Sequence, residues 1–374
     1  MEWDRSAQAR VREGQSGICR QFQAKAHHLE NHSGYDSLMS RPPLNSSIVY
    51  DSYWRFAVER HAMFERRLAG TDAPWTDDPI LQNFRFTNVF RAVDRVSQYL
   101  IRNVQYRSDR SQEPEEVFFR TMLFKLFNKV ETWELLERQV GLLSWRTVDL
   151  NKLSAALDHA LACGKRVYSA AYIMPPPNLG HHRKHANHLA LLAMMMEQGL
   201  PERVTRARSL AEVYDLLKAY PGLGSFLAFQ YAIDLNYSNI LQFKESDFVV
   251  AGPGALDGIA KCFLSTQGWT ATDVIFHVVE QQRAEFARLK LSFNGLFGRP
   301  LQPIDCQNIF CEISKYARVA HPEVLGVLSR KRIKQTFAPN ERPPLQELFL
   351  PPRWAVSIPL RHINKLGKGQ ARLL

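Results

Sequence analysis

The 374-residue sequence predicts an all-α fold: a multi-helix domain whose organising element is a glycine-punctuated hairpin of two helices. Two observations carry that expectation. Apolar residues recur at spacings of three and four through most of the chain, and no alternating apolar/polar stretch competes with them. Glycine and proline then divide the chain into helix-sized pieces, most densely in Ala219–Phe263, AYPGLGSFLAFQYAIDLNYSNILQFKESDFVVAGPGALDGIAKCF. At 45% hydrophobic residues a chain of this length can bury a large core.

The first 47 residues are polar and end near Arg41-Pro42-Pro43, so they form an extension outside the expected core. The helical domain is expected over 48–325, followed by a basic, proline-punctuated tail over 326–374. Tyr53, Trp54, Phe56, Met63, Phe64 and Leu68 mark a first helix stopped at Gly70. Asp77 or Asp78 caps the next segment before Pro79. LQNFRFTNVFRAVDRVSQYLIRNVQY, residues 81–106, reads as one helical stretch mixing aromatics with Asn88, Arg91, Asp94 and Arg95. Its plain reading is a buried amphipathic helix with an Arg/Asp pair on its rim; its sharper one points Asn88 and an arginine into a pocket. Helices follow over 115–127, with Glu115 and Glu116 in the first turn and Asn128 as a terminal cap, and over 153–163. The histidines 181, 182, 185 and 188 lack a matching Cys or acidic set; they are read as a basic helix start, and no metal is expected. Residues 201–218 are read as one helical region, and long helices are expected over 273–293 and 306–316. In the last of these Glu312 and Lys315 are expected to form a solvated ion pair.

The two glycine turns have a physical use. Gly222 and Gly224 permit positive φ and close approach, and each following helix begins with N–H groups that suit a phosphate. Gly222, Gly224, Ser225, Gly252, Gly254, Lys261 and Lys315 are the expected phosphate contacts. The plain alternative is a pair of ordinary helix-to-helix turns. Lys plus Arg exceed Asp plus Glu by 48 − 37 = 11, which favours a polyanionic partner. No apolar run is long enough to span a membrane and no secretory signal opens the chain, so a cytoplasmic protein with reduced cysteines is expected.

FRFTNVFRAVDR, FFRTMLFKLFNKVETW, PGLGSFLAFQYAIDLNY, ESDFVVAGPGALDGIAK and NIFCEISKYAR occur in order between Tyr50 and Tyr316. Together they resemble the α-glutamyl/putrescinyl thymine pyrophosphorylase-like family, which is similar to the Brig anti-phage DNA glycosylases and to the helical domain of 5-hydroxymethyluracil DNA kinases. The resemblance implies chemistry on hypermodified pyrimidines in double-stranded DNA, without a cofactor or an obligate protein partner. Its glycosylase branch implies a helix-hairpin-helix element and a monofunctional DNA N-glycosylase. Such an enzyme would flip out a base such as α-glucosyl-5-hydroxymethylcytosine, use water and leave an abasic site as antiviral defence. An acid would stabilise the positive sugar in the transition state. Asp247 is the first candidate, Asp234 the second, with a buried structural carboxylate as its alternative role, and Glu312 the third. Direct alignment places Ala251 where glycosylases carry that acid, and Lys218 is out of register with the lysine of lyase-competent relatives. Phe84, Phe86, Tyr172 and Phe248 are candidates to stack on the base, with Asn88, Arg91 and Asn128 in its pocket. A thymine-modifying transferase or pyrophosphorylase, and a non-catalytic DNA-binding helper, are the competing expectations.

Overall fold

A computed structural model describes residues 41–170, 174–337 and 347–358. The chain divides into two compact units, Met1–Pro43 and Leu44–Leu374, and every described helix and strand belongs to the second. It is mostly helical. In chain order the helices are α1 (Ile48–Leu68), α2 (Pro79–Asn83), α3 (Arg95–Tyr99), α4 (Pro114–Phe127), α5 (Val130–Val140), α6 (Leu150–Ala162) and α7 (Lys184–Glu197). They continue with α8 (Leu200–Thr205), α9 (Leu210–Lys218), α10 (Ser225–Asn236), α11 (Pro253–Cys262), α12 (Ala271–Arg288) and α13 (Pro303–Ala320). An antiparallel pair, β1 (Asn45–Ser46) with β2 (Phe263–Ser265), ties the start of α1 to the end of α11. Sequence reasoning missed it, because strands of two and three residues are too short to show alternation.

Local chemistry sets the helix ends. Ser47 accepts from Val49 N–H to open α1, and Asp78 accepts from Ile80 and Leu81 N–H ahead of Pro79. Asn128 closes α4 in the left-handed region at φ 49°. Asp305 and Gln302 bond reciprocally at the start of α13.

Packing sets the centre. α4 and α10 are buried on nearly every face, and α10 lies antiparallel to α9 across the turn 219–224. α11 and α13 cross most closely: a Cβ on Gly258 would lie 1.9 Å from the Phe310 carbonyl oxygen, so the crossing requires a residue without one. Around them Tyr53, Trp54, Phe286, Phe293 and Phe310 form a chain of ring contacts linking α1, α12 and α13.

The single helix expected over 81–106 is broken. α2 stops at Asn83, residues 84–90 are irregular, a 3₁₀ turn covers Arg91–Val93, and α3 passes into a π-helical turn over Leu100–Gln105. Phe84 instead bridges to Thr336, and Arg85 N–H donates to Gln335 O at 3.0 Å. The π turn presents Val104 O to the buried Arg120, whose Nε donates at 3.0 Å. The region expected over 201–218 divides into α8 and α9, and the helix expected to reach Phe293 stops at Arg288, with Lys290 left-handed at φ 54°.

Candidate functional site

α10 carries an amphiphilic stripe inside an otherwise apolar helix. Gln230 and Asp234, four residues apart, share a face and are 4% and 0% exposed. Arg91, on the 3₁₀ turn, meets both: Nε donates to Gln230 Oε1 at 2.9 Å, while Nη1 and Nη2 engage the two Asp234 oxygens, the latter at 2.9 Å. Lys125, in the last turn of α4, reaches the same carboxylate at 2.9 Å and donates to Asn128 Oδ1 at 2.7 Å. Tyr237 lies 5.8 Å from the Arg91 guanidinium, and Gln105 donates to Asp234 O at 2.8 Å. Burial pushes the Asp234 carboxyl up, but Arg91 and Lys125 more than offset it and hold it below the ordinary range. Burial pulls the Lys125 ammonium down, against the attraction of Asp234.

Beside this centre stands a second one. Thr87 N–H donates to Glu312 at 3.1 Å, Asn88 N–H to Asp94 at 2.8 Å, and Arg91 N–H to Asp305 at 3.2 Å. Burial raises Asp94 to about 6, with the Asn88 N–H opposing it, and raises Asp305 to about 7, with Glu245 adding to the rise. The Glu312–Lys315 pair is real, at 2.7 Å, but it is largely buried rather than solvated because Glu312 turns inward to cap Thr87.

A third group lies at the C-terminal end of α10. Glu245 is 4% exposed and accepts from Arg299 at 2.6 Å. Burial raises its carboxyl, opposed by Arg299 and Arg353. Arg353 donates to the carbonyls of Phe243, at 2.9 Å, and Asn236. Glu245 went unnoticed in the sequence because Asp247, two residues on, sits nearer the glycine turn. Lys125 could have been found: a lysine inside the apolar run FFRTMLFKLF signals a buried partner as clearly as Asp234 does in YAIDLNY.

The structure therefore gathers Asp234, Arg91 and Asn128 into one network and places Asn88, Glu312 and Lys315 in the next. It separates the others. Asp247 is exposed and accepts from Ser246 at 2.6 Å. Phe248 packs between Tyr214 and Phe229 at 5.2 and 5.8 Å, and Phe86 against Phe56 at 5.3 Å, so both belong to the core. Asn88 uses its amide on Val93 O at 2.8 Å. Tyr172 lies outside the described residues. Lys261 is 3% exposed, donates to Ser314 O at 3.0 Å and faces Asp257 at 3.5 Å, so its ammonium is directed inward rather than to a phosphate. The turn at Gly252 and Gly254 has a packing cause, since a Cβ on them would meet the Phe226 ring at 2.6 Å and Cys311 Sγ at 2.3 Å. Of the first turn's glycines, Gly222 takes φ +83° while Gly224 has φ −68°; Gly224 and Ser225 open α10 in exposed positions.

Comparison with known proteins adds the family. Residues 47–326 match the family described as 5-hmdU DNA kinase, helical domain. The chain belongs to that family. A 5-hmdU DNA kinase of Bacillus phage SP10 is 26% identical over 298 residues, covering 74% of this chain and 46% of the relative. The chain thus spans about half the length of that curated relative. No solved structure matches it. These findings overturn the DNA N-glycosylase expectation, with its excised base and abasic product, because both point to a DNA kinase family. The geometry fits that correction at Asp234, whose carboxylate is 0% exposed with both oxygens engaged by Arg91 and Lys125. Among the described residues no helix is long and apolar enough to cross a membrane.

Proposed function

We propose that this domain binds double-stranded DNA bearing a 5-hydroxymethylated pyrimidine and holds that base for a modifying reaction. Support comes from the family match along most of the helical body together with a strip of surface cations placed to follow a phosphate backbone. The strip is the observation that carries the reading. Arg330, Lys331, Arg332 and Lys334 are all exposed, and no acid occurs between Val324 and Asn340. The ribbon is anchored rather than loose: Arg332 O accepts from Arg318 at 3.2 Å, Gln335 O from Arg85 N–H, and Phe337 N–H donates to Asn83 O at 2.9 Å. Anchored cations lose less freedom on binding than a floppy arm would.

In this reading the hairpin is a second backbone contact, through the exposed start of α10 at Gly224 and Ser225 with Lys218 across the turn, as in a helix-hairpin-helix element. The Asp234 and Asp305 centres position both surfaces from within. The role assigned is binding and presentation. The chain's Gly-Lys pairs, Gly164-Lys165 and Gly367-Lys368, are followed by Arg and Gly, so neither has the Ser or Thr of a Walker A loop.

The test is fluorescence anisotropy on duplexes that differ only in one 5-hydroxymethyluracil in place of thymine, over a range of salt. Tighter binding to the modified duplex, with a steep salt dependence, is the expected result. Equal affinity for both duplexes refutes the modified-base part, and salt-independent binding refutes the phosphate strip.

A further inference from the structure

Residues 347–358 lie outside the segment that matches the family and pack as a strap over the C-terminal end of α10. One end is held by a reciprocal pair of bonds: Phe349 N–H donates to Gln98 Oε1 at 2.9 Å, and Gln98 Nε2 donates to Phe349 O at 3.0 Å. The other end is a 3₁₀ turn, Pro352–Trp354, which inserts two side chains. The Arg353 guanidinium caps the carbonyls of Asn236 and Phe243. The Trp354 indole makes two ring contacts: the Arg299 guanidinium lies over it, 4.0 Å from its ring centroid, and the buried Tyr237 ring meets it edge-to-face at 5.7 Å and 82°.

The environment of that indole has the chemistry of a nucleobase slot. A planar cation over the ring and an aromatic side chain against it are how proteins hold a flat base taken out of its stack. The polar groups bonded to Arg299 and Arg353 are of the kind that read a pyrimidine edge. Glu245 offers Oε1, buried and without a hydrogen-bond partner. Asn236 O becomes an open acceptor when Arg353 leaves, while Phe243 O keeps the bond from Asn236 Nδ2 at 3.0 Å, and Arg299 is a donor for a base carbonyl. The indole fills the slot sterically but uses none of its acceptors, and Arg353 leaves its own Nε buried and unpaired. That pattern marks a replaceable occupant better than a settled core contact.

We infer that Arg299, Tyr237 and Glu245 form a slot for a pyrimidine base, and that Trp354 on the strap occupies it as an internal stand-in which an everted base must displace. The inference rests on the proposed handling of a modified pyrimidine in DNA, and its test separates the two. The 374-residue protein and its variants Trp354→Ala and Gln98→Ala, the latter loosening the strap with the slot intact, are titrated with two probes. The first is the 5-hydroxymethyluracil duplex beside the same duplex with an abasic site at that position. The second is 5-hydroxymethyl-deoxyuridine monophosphate, followed by saturation-transfer NMR. Both variants are expected to bind the base-bearing duplex and the mononucleotide about ten-fold more tightly than the parent, with the abasic duplex unchanged. Adding Arg299→Ala to Trp354→Ala should abolish the gain. In the parent, the base-bearing duplex should speed hydrogen exchange of the Phe349 amide. Folded variants that gain nothing on either probe overturn the slot, even where the parent binds DNA. A gain on the mononucleotide with no binding to any duplex keeps the slot and overturns the proposed DNA role.

Discussion

Removing the charge of Asp234 tests whether this acid holds the fold together. In Asp234→Asn the carboxamide keeps the shape of the side chain but leaves Arg91 and Lys125, 5% and 3% exposed, without their common counter-charge. Breaking a buried pair by deleting one partner costs on the order of 3–5 kcal/mol, because the remaining charge stays desolvated. Here two cations share one carboxylate, so the upper half of that range is expected. At roughly 2–4 °C per kcal/mol for domains of about 150–250 residues, with the lower end suiting this larger one, the melting temperature should fall by about 8–10 °C. A cycle with Arg91→Met should show coupling, the double variant melting well above the sum of the single losses. The pH dependence has a definite sign. Asp234 is held below its ordinary value, so its contribution is fully present above the unfolded-state range near pH 4 and is lost as pH falls through the lower folded value. Thermal melts of parent and variant should therefore differ most near neutrality and converge in strong acid. A variant melting within about 2 °C of the parent at pH 7 would refute the structural role and reopen a chemical one.

Asp305 has the opposite sign: its folded value is raised to about 7, so its contribution is greatest below the unfolded value near 4 and declines as pH rises to 7. Over that window stability should fall by up to about 4 kcal/mol on its account, and Asp305→Asn should flatten the urea-midpoint profile. Gly258→Ala places a methyl against the Phe310 carbonyl and should cost roughly 1–3 kcal/mol or more, read by urea unfolding, while Gly298→Ala, with open space around it, tests strain at φ +93° alone. Alanine at Arg330, Lys331, Arg332 and Lys334 together should reduce the slope of log affinity against log salt by about 3–4, near 0.9 per phosphate contact, without changing the melting temperature. An unchanged slope would remove the ribbon from the interface.

Much of the fold was legible because its signals are local. The spacing of Tyr53, Trp54, Phe56, Met63 and Phe64 fixes α1, and the caps Asp78, Asn128 and Asp305 act within four residues of themselves. What stayed hidden depends on distant chain. Arg91, Asp94 and Arg95, at spacings of three and four, fit a helical face as well as any helix does. The segment is nevertheless irregular, because its partners, Thr336, Glu312, Asp305 and Asp234, lie more than a hundred residues away. The candidate site divides in the same way. An acid in an apolar helix announced that Asp234 has a partner, and Arg91 was among the residues singled out, but nothing local pairs them. The glycosylase expectation followed the hairpin's resemblance rather than any reacting geometry, and the family match corrects it.

Three of the acids inside this domain, Asp94, Asp305 and Glu312, share one physical cause. Residues 84–94 cross the interior edge with only a bridge at Phe84 and one 3₁₀ turn to satisfy their N–H groups, and a buried N–H left unbonded costs on the order of 1–3 kcal/mol. Three of those groups are taken by carboxylates from elsewhere or from the segment itself: Thr87 by Glu312, Asn88 by Asp94, Arg91 by Asp305. Asn308 adds its amide to Asn88 O at 2.9 Å. Carboxylates suit the task because each can accept several bonds, and Asp305 takes a second one, from Gln302 N–H at 3.0 Å. The segment so held delivers the Arg91 side chain to Asp234, and Asp234 fixes α10 against α4 through Lys125. α10 in turn carries Gly224 and Ser225 at its start and Tyr237 just past its end. The same helix thus connects the exposed hairpin to the ring beneath Trp354, and a disturbance at the acids of 84–94 should be felt at both.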